Sequence, residues 1–273
     1  MVVLRGKSRA VRRVRLLQTT RQGLPRSGHE GSRGLTGTLK LSDEARARVV
    51  EIFSSLQGEG PRLGERQIFV RLGGCNLHCD YCDEPDTIPI PSGLVKSAEW
   101  VKSEIETLAH ARAHHTISWT GGEPLLHPQF LMPLMRWAHK KGLANHLETN
   151  GTLPVPMAAL APLCDAVAMD IKLPSSTGRE TWGAHRDFLR VVPRNTFIKV
   201  VLSDRSTEAE WTKVVELVRH AAHPLRLYLQ PATPVGKVKP IPAARCLRFE
   251  ALARRAVKEV FVRPQWHHLW NLP

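Results

Sequence analysis

From about residue 45 to residue 263 the chain alternates short runs of apolar and β-branched residues with longer amphipathic stretches. Seven runs read as strands: 67–72, 116–119, 145–149, 166–171, 196–202, 225–229 and a short one at 260–263. Between them the apolar residues recur at helical spacing over 97–110, 129–141, 156–163, 179–192, 207–222 and 243–258. End signals agree with this reading. Ser97 is placed as an N-cap with Glu99 in the first turn, and His139, Lys140 and Lys141 precede the stop Gly142. Strands separated by helices imply right-handed βαβ crossovers and a parallel sheet. A closed barrel needs eight such units and about 250 residues. The unit expected over 43–273 falls short on both counts. The fold class is therefore α/β, an open, partial TIM-like βα barrel of six to seven units, with its chemistry at the carboxyl ends of the strands.

Charge is spread unevenly over the 273 residues. The net charge is +14, but residues 1–36 carry eight Arg and one Lys against Glu30 alone, which is +8 and leaves +6 for the rest. The segment 1–42 has no sustained period and is read as a disordered Arg-rich extension. An inert tail, a nucleic-acid arm and a targeting segment of transit-peptide composition all fit it. It lacks the apolar centre of a secretory signal, and no apolar run of membrane-spanning length occurs in the chain. Five cysteines are too few for a disulfide scaffold of this size, so reduced thiols and a cytoplasmic location are expected.

Three of those cysteines fall within eight residues: Cys75-x3-Cys79-x2-Cys82, after Gly73-Gly74 and directly behind the first parallel strand. The glycines permit the turn that brings the sulfurs together. Three thiolates leave one coordination position open, either on a zinc ion or on a 4Fe-4S cluster. Zinc completed by His78 or a distant cysteine fits the spacing, as does a cluster whose fourth iron takes a non-protein ligand. Cys164 and Cys246 lie in apolar surroundings and read as plain buried thiols. The next strands end at Thr120-Gly121-Gly122-Glu123-Pro124, Glu148-Thr149-Asn150-Gly151-Thr152, Asp170-Ile171-Lys172 and Gln230-Pro231-Ala232-Thr233. Polar ends on every strand point to one shared cleft. Asp170 and Lys172 stand two apart, on one side of the strand, as a solvated ion pair or as a holder for an amino-acid group.

The cysteine spacing, followed one strand later by Gly-Gly-Glu-Pro, resembles the radical S-adenosylmethionine (SAM) enzymes. That resemblance implies a 4Fe-4S cluster on Cys75, Cys79 and Cys82, with SAM on its fourth iron. One-electron reduction then cleaves the cofactor to a 5′-deoxyadenosyl radical. It gives Gly122 and Glu123 to the methionine amino group, and implies an electron donor such as a flavodoxin or ferredoxin. An activase that abstracts hydrogen from a partner protein shares these motifs. A zinc-bound RNA-binding module is the rival of another class, weakened because no aromatics interleave the basic tail.

The segments Leu56-Gln57-Gly58-Glu59-Gly60, 69–77, Cys82-Asp83 and Pro264-Gln265-Trp266-His267 resemble the 7-carboxy-7-deazaguanine synthase family in order. The implied reaction contracts the ring of 6-carboxy-5,6,7,8-tetrahydropterin, with loss of ammonia, for queuosine-type 7-deazapurines. The resemblance assigns Leu56, Gln57, Gly58 and Thr120 to the pterin, Arg71 to its carboxylate, and the carboxylate of Pro273 to the same site. It places Tyr81, Cys82, Asp83, Gly122, Asp170, Ile171, Lys172, Gln230, Pro231, Ala232 and Thr233 against SAM. The family's magnesium ligand is a Thr at the position of Glu84, so Mg2+ is expected on Glu84, or on Thr87 if the loop folds back. Trp266, His267, His268 and Trp270 are suited to cover the open side of the barrel. The resemblance implies no membrane and argues against direct nucleic-acid binding, and it leaves a homodimer open.

Overall fold

The structure, a computed structural model, describes residues 14–15, 45–270 and 272. Its centre is one sheet in the order β1-β2-β3-β5-β6-β7-β8-β9-β10, with β4 paired to β2. The parallel part consists of β3 (Arg66–Leu72), β5 (Thr116–Gly121), β6 (Ala144–Thr149), β7 (Ala166–Asp170), β8 (Thr196–Leu202), β9 (Arg226–Pro231) and β10 (Val260–Val262). These are the seven strands expected. The sheet is open, since β10 pairs only with β9 among the described residues.

The other edge was not anticipated. β2 (Arg46–Leu56) is an eleven-residue strand antiparallel to β3, with a register shift between Val49 and Glu51. Its first half pairs with β4 (Leu94–Ser97), and Ile52 and Glu51 pair with β1 (Val14–Arg15). The expected disorder of 1–42 lies outside the described residues, apart from that two-residue strand.

Helices cover one face. α1 (Ala98–Ala111) is capped by the Ser97 hydroxyl, which accepts from Trp100 N at 3.2 Å, and buries Ala98, Val101 and Ile105. α2 (Pro128–Lys140) starts on a proline and buries Phe130, Leu131, Leu134, Met135 and Ala138. α3 (Pro154–Leu160) and a one-turn α4 (Pro174–Thr177) follow. α5 (Trp182–Leu189) is shorter than the expected 179–192: Gly178 is left-handed at φ +67°, Thr181 is non-helical at the N-cap, and Pro193 lies beyond the end. α6 (Glu208–Arg219) carries a capping box of Thr207 and Glu210. α7 (Ala243–Arg254) and α8 (Trp266–Leu269) complete the set. None of the described helices is long and apolar enough to cross a membrane.

Alternate residues of each parallel strand face opposite ways. One parity (Ile68, Val70, Ile117, Leu147, Ile198, Leu229) packs with the helices in a single apolar core. The other lines the concave side. At its amino end, Phe197 meets Tyr228 at 5.5 Å and Tyr228 stacks on Phe261 at 5.1 Å, forming an aromatic floor. Above that floor polar and apolar concave residues together surround a cleft of about 310 Å³, within the usual range for small-molecule sites. The gap between β10 and β2 is spanned by the C-terminal segment. Trp266 N donates to Gly58 O at 3.1 Å and Arg263 Nη1 to Gly60 O at 2.7 Å.

Candidate active site

The cysteine loop leaves β3 and is pinned from three directions. Gly73 N donates to Arg48 O, Gly74 N to Thr87 O and Cys75 N to Ile88 O, all at 2.8–3.0 Å. From the other side Glu123 N donates to Gly74 O. Cys75, Cys79 and Cys82 are half-buried free thiols lining the cleft. Burial pushes all three thiols up, Cys82 to about 11, so a bound cation is needed to hold them as thiolates. Thiolates sharing one zinc ion with bonds of about 2.3 Å stand roughly 4 Å apart. Among the described residues the trio of ligand atoms within 4.8 Å of one another is Asp83, His267 and His268, and not the three sulfurs. Three half-buried thiols on one loop are a donor set for a metal centre with one position left open.

Gly121, which ends β5, and Gly122, which follows it, both meet protein backbone. A Cβ on Gly122 would lie 2.2 Å from Gly74 O and 2.8 Å from Thr87 O. Glycine here is what lets this strand end seat against the cysteine loop. Glu123 follows those glycines. It is fully buried, off the cleft wall, and its carboxylate accepts from Leu125 N (3.0 Å), Thr149 Oγ1 (2.8 Å) and Asn150 N (2.7 Å). Burial outweighs those donors and raises its pKa to about 7. Its place is to hold the end of β6, whose Asn150 Nδ2 reaches Cys75 Sγ at 3.9 Å.

On the cluster side, Tyr81, Asp83, Asp170 and Lys172 line the cleft. Lys172 Nζ donates to Asp170 Oδ2 at 2.7 Å and lies 5.1 Å from the centre of the Tyr81 ring. Asp170 Oδ1 and the Tyr81 hydroxyl are buried without a hydrogen-bond partner. Such orphans carry a cost that a polar ligand relieves, so this wall fits a cofactor with an ammonium and hydroxyls. Ile171 sits instead in the apolar core. Gln230, Pro231, Ala232 and Thr233 stand off the cleft wall. Ala232 packs with Tyr81 and Val201, Gln230 Nε2 donates to Glu59 Oε1 at 2.9 Å, and the Thr233 hydroxyl donates to Gln265 Oε1 at 2.7 Å.

Across the cleft, Gln57 Nε2 donates to Glu148 Oε1 (2.8 Å), which also accepts from the Ser118 hydroxyl (2.9 Å), and the Thr120 hydroxyl donates to Glu148 Oε2 (3.1 Å). Leu56 and Gly58 complete this wall. A Cβ on Gly58 would strike His267 Nδ1 at 2.3 Å, so the glycine admits the C-terminal turn. Arg71 lies 5.3 Å from the Phe53 ring centre. It donates through Nε to Glu51 Oε1 at 2.9 Å and pairs through Nη2 with Glu84 Oε1 at 3.0 Å. The Thr87 hydroxyl donates to Glu84 O at 2.7 Å. Of the groups expected to receive magnesium, Glu84 is thus paired with Arg71 through one oxygen, and Thr87 uses its hydroxyl proton on a carbonyl. Pro273 lies outside the described residues; Leu272 lines the cleft.

A sequence profile of the radical SAM superfamily matches residues 69–224. The 7-carboxy-7-deazaguanine synthase of Geobacter sulfurreducens is 35% identical over 243 residues, covering 81% of this chain and 96% of that protein. That of Methanopyrus kandleri is 36% identical over 214 residues, covering 68% and 81%.

This chain belongs to the 7-carboxy-7-deazaguanine synthase family of radical SAM enzymes.

The crystal structure of QueE from Escherichia coli shares the fold, with a TM-score of 0.58 and 23% identity over 81% of this chain and 95% of that one. Membership in the synthase family displaces both the activase and the zinc-bound RNA-binding module. Three residues of the site received no role from the sequence: Glu59 and Glu148, which lie inside the motif segments 56–60 and 148–152, and Lys199, which lies in none. Lys199 forms a short ion pair with Glu59, stands 3.5 Å from Asp170 Oδ2, and joins the two walls. Gln230 and Gln265 also donate to Glu59. Burial alone would raise Glu59, but Lys199 beside it wins and holds it at about 2. Burial alone would lower Lys199, but Glu59 and Asp170 hold it above its ordinary value. The available signal was the strand itself, because a Lys inside Thr196–Leu202 and a Glu inside Ala144–Thr149 interrupt buried strands.

Proposed function

We propose that this chain catalyses the radical ring contraction of 6-carboxy-5,6,7,8-tetrahydropterin to 7-carboxy-7-deazaguanine, within residues 43–273 and in a cytoplasmic setting. The observation that carries the reading is the shared cleft: three thiols at one end and the Gln57–Glu148–Thr120 amide, carboxylate and hydroxyl wall at the other. Cys75, Cys79 and Cys82 would hold the cluster, and Tyr81, Asp83, Gly122, Asp170 and Lys172 the sulfonium cofactor. When bound, these groups supply the one-electron chemistry that removes a hydrogen atom from the substrate.

The chain's own residues do the rest. Gln57, positioned by Glu148, offers its amide to the edge of a flat heterocycle with donors and acceptors in one plane. Arg71 presents a planar guanidinium to the substrate carboxylate, with Glu51 fixing its Nε. That carboxylate would compete with Glu84 for the guanidinium. Lys199 and Glu59 keep the floor between the two ligands charged and rigid, and the C-terminal segment excludes water from the open side. Magnesium has no assigned step: the Glu84 carboxylate at the expected ligand position is paired with Arg71. An electron donor of flavodoxin or ferredoxin type belongs to the reading, and a homodimer is compatible with it. The test is to incubate reduced, cluster-loaded protein with SAM and the carboxypterin and to seek the deazaguanine by mass. Cofactor cleavage without that product would overturn the substrate assignment.

A further inference from the structure

The cleft rim holds a second set of metal-type ligands that the cluster does not use. Asp83 follows the third cysteine, and α8 brings in His267 and His268 from the far end of the chain. The two imidazole centres are 4.3 Å apart. Each Nε2 stands 3.6 Å from the same oxygen, Asp83 Oδ2. That is beyond a good hydrogen bond. It is close to the separation of about 3.3 Å between donors that share a tetrahedral ion at about 2.0–2.1 Å. All three donor atoms lie within 4.8 Å of one another.

The arrangement is held from behind. His267 packs on Gly58, where no side chain fits, and its carbonyl accepts from Leu272 N at 2.9 Å. Trp266 N bonds Gly58 O in the same turn. Two imidazoles and one carboxylate are a borderline donor set, which suits zinc-type ions; magnesium prefers oxygen donors alone. All three residues line the cleft, so the coordination positions they leave open face its interior.

We propose that Asp83, His267 and His268 bind one divalent transition-metal ion of the zinc type at the cleft rim. The ion clasps the C-terminal helix to the cysteine loop and presents its open position to an oxygen ligand in the cleft. The site is separate from Glu84 and from the three thiols, and it shares Asp83 with the wall proposed for the sulfonium cofactor.

Zn2+ is the probe, added to cluster-loaded protein whose visible absorbance confirms that the cluster is intact. One Zn2+ per chain is expected, with nitrogen and oxygen but no sulfur neighbours in X-ray absorption. Asp83→Asn and His268→Ala should each weaken binding by about tenfold or more while leaving the cluster absorbance unchanged. The variant with Cys75, Cys79 and Cys82 all changed to Ala should still bind one ion. Zinc binding that survives both rim variants, that vanishes in the triple cysteine variant, that shows sulfur ligation, or that equimolar Mg2+ displaces would overturn the site. The readout is metal binding, so its failure is distinguishable from a failure of the proposed turnover.

Discussion

The two faces of the same strands obey opposite rules. On the convex face Ile68, Val70, Ile117, Leu147, Met169 and Ile198 are completely buried against helices. On the concave face the neighbouring positions are Gln67, Ser118, Glu148, Asp170 and Lys199. A slip of one residue in any strand would exchange the two sets, so apolar parity fixes the register that aims the polar set. A filled barrel stacks branched aliphatic side chains in its interior. Here the interior mixes aromatic rings with charged groups, and buried charges must be paired to be tolerated. Folding energy therefore resides on one parity and ligand chemistry on the other.

The sharpest break of this division is at the loop that serves chemistry alone. Cys79→Ala should abolish 5′-deoxyadenosine formation from SAM while leaving the far-ultraviolet dichroism of the apoprotein unchanged. Residual cleavage at the wild-type rate would remove the thiol from the cluster. On the convex face Ile198→Ala should cost about 2–5 kcal/mol of stability, read from urea midpoints, with the KM of the folded enzyme unaltered. A shifted KM at unchanged stability would mean that the two parities are not separable.

A buried histidine behind the site gives the pH arm. His185 is completely buried, and its Nε2–H donates to Asn150 O at 3.1 Å. Burial holds its pKa at about 4, against 6.5 when exposed. Because the folded form excludes the proton that the unfolded chain accepts near 6.5, this contribution to stability is full above that pH. It is lost as pH falls towards 4, by up to about 3 kcal/mol. Urea titrations at pH 7 and 4.5 should show the loss, and His185→Asn should flatten it. An equal slope in the variant would assign the acid sensitivity elsewhere.

The convex parity is also what made the fold legible. Seven parallel strands and their helices were readable because apolar periodicity reports packing. β2 was not read as a strand, since Arg46, Arg48 and Glu51 give it the texture of a loop. Those charges are absorbed by tertiary partners that no local pattern shows: Arg48 donates to Pro91 O and Gly93 O, and Arg71 donates to Glu51. In the site, Gln57, Arg71, Tyr81 and Asp170 come from motifs read in the sequence. The partners of Glu59 and Glu148 are not visible in their motifs: Lys199 comes from β8 to pair with Glu59, and Gln57, Ser118 and Thr120 reach Glu148 from other segments. Glu148 tests this from the concave side. Glu148→Gln should lower turnover about ten- to a hundredfold by leaving one of its three donors unpaired and Gln57 misplaced, with little change in melting temperature. A large loss of stability instead would make it a packing residue.

The smallest effect concerns the one place where the concave face holds its charge against itself. Arg71 shares its guanidinium between Glu51, which is buried, and Glu84, whose side chain is about one-third exposed. The partly exposed pair is the weaker, worth on the order of 1 kcal/mol or less, and it occupies the edge that a substrate carboxylate would use. Glu84→Ala should therefore lower the KM for the carboxypterin about two- to fivefold with kcat held. Were Glu84 a magnesium ligand in turnover, the same substitution would raise KM and make the rate more dependent on added Mg2+. The sign of the KM change thus decides between a competing carboxylate and a metal-binding one.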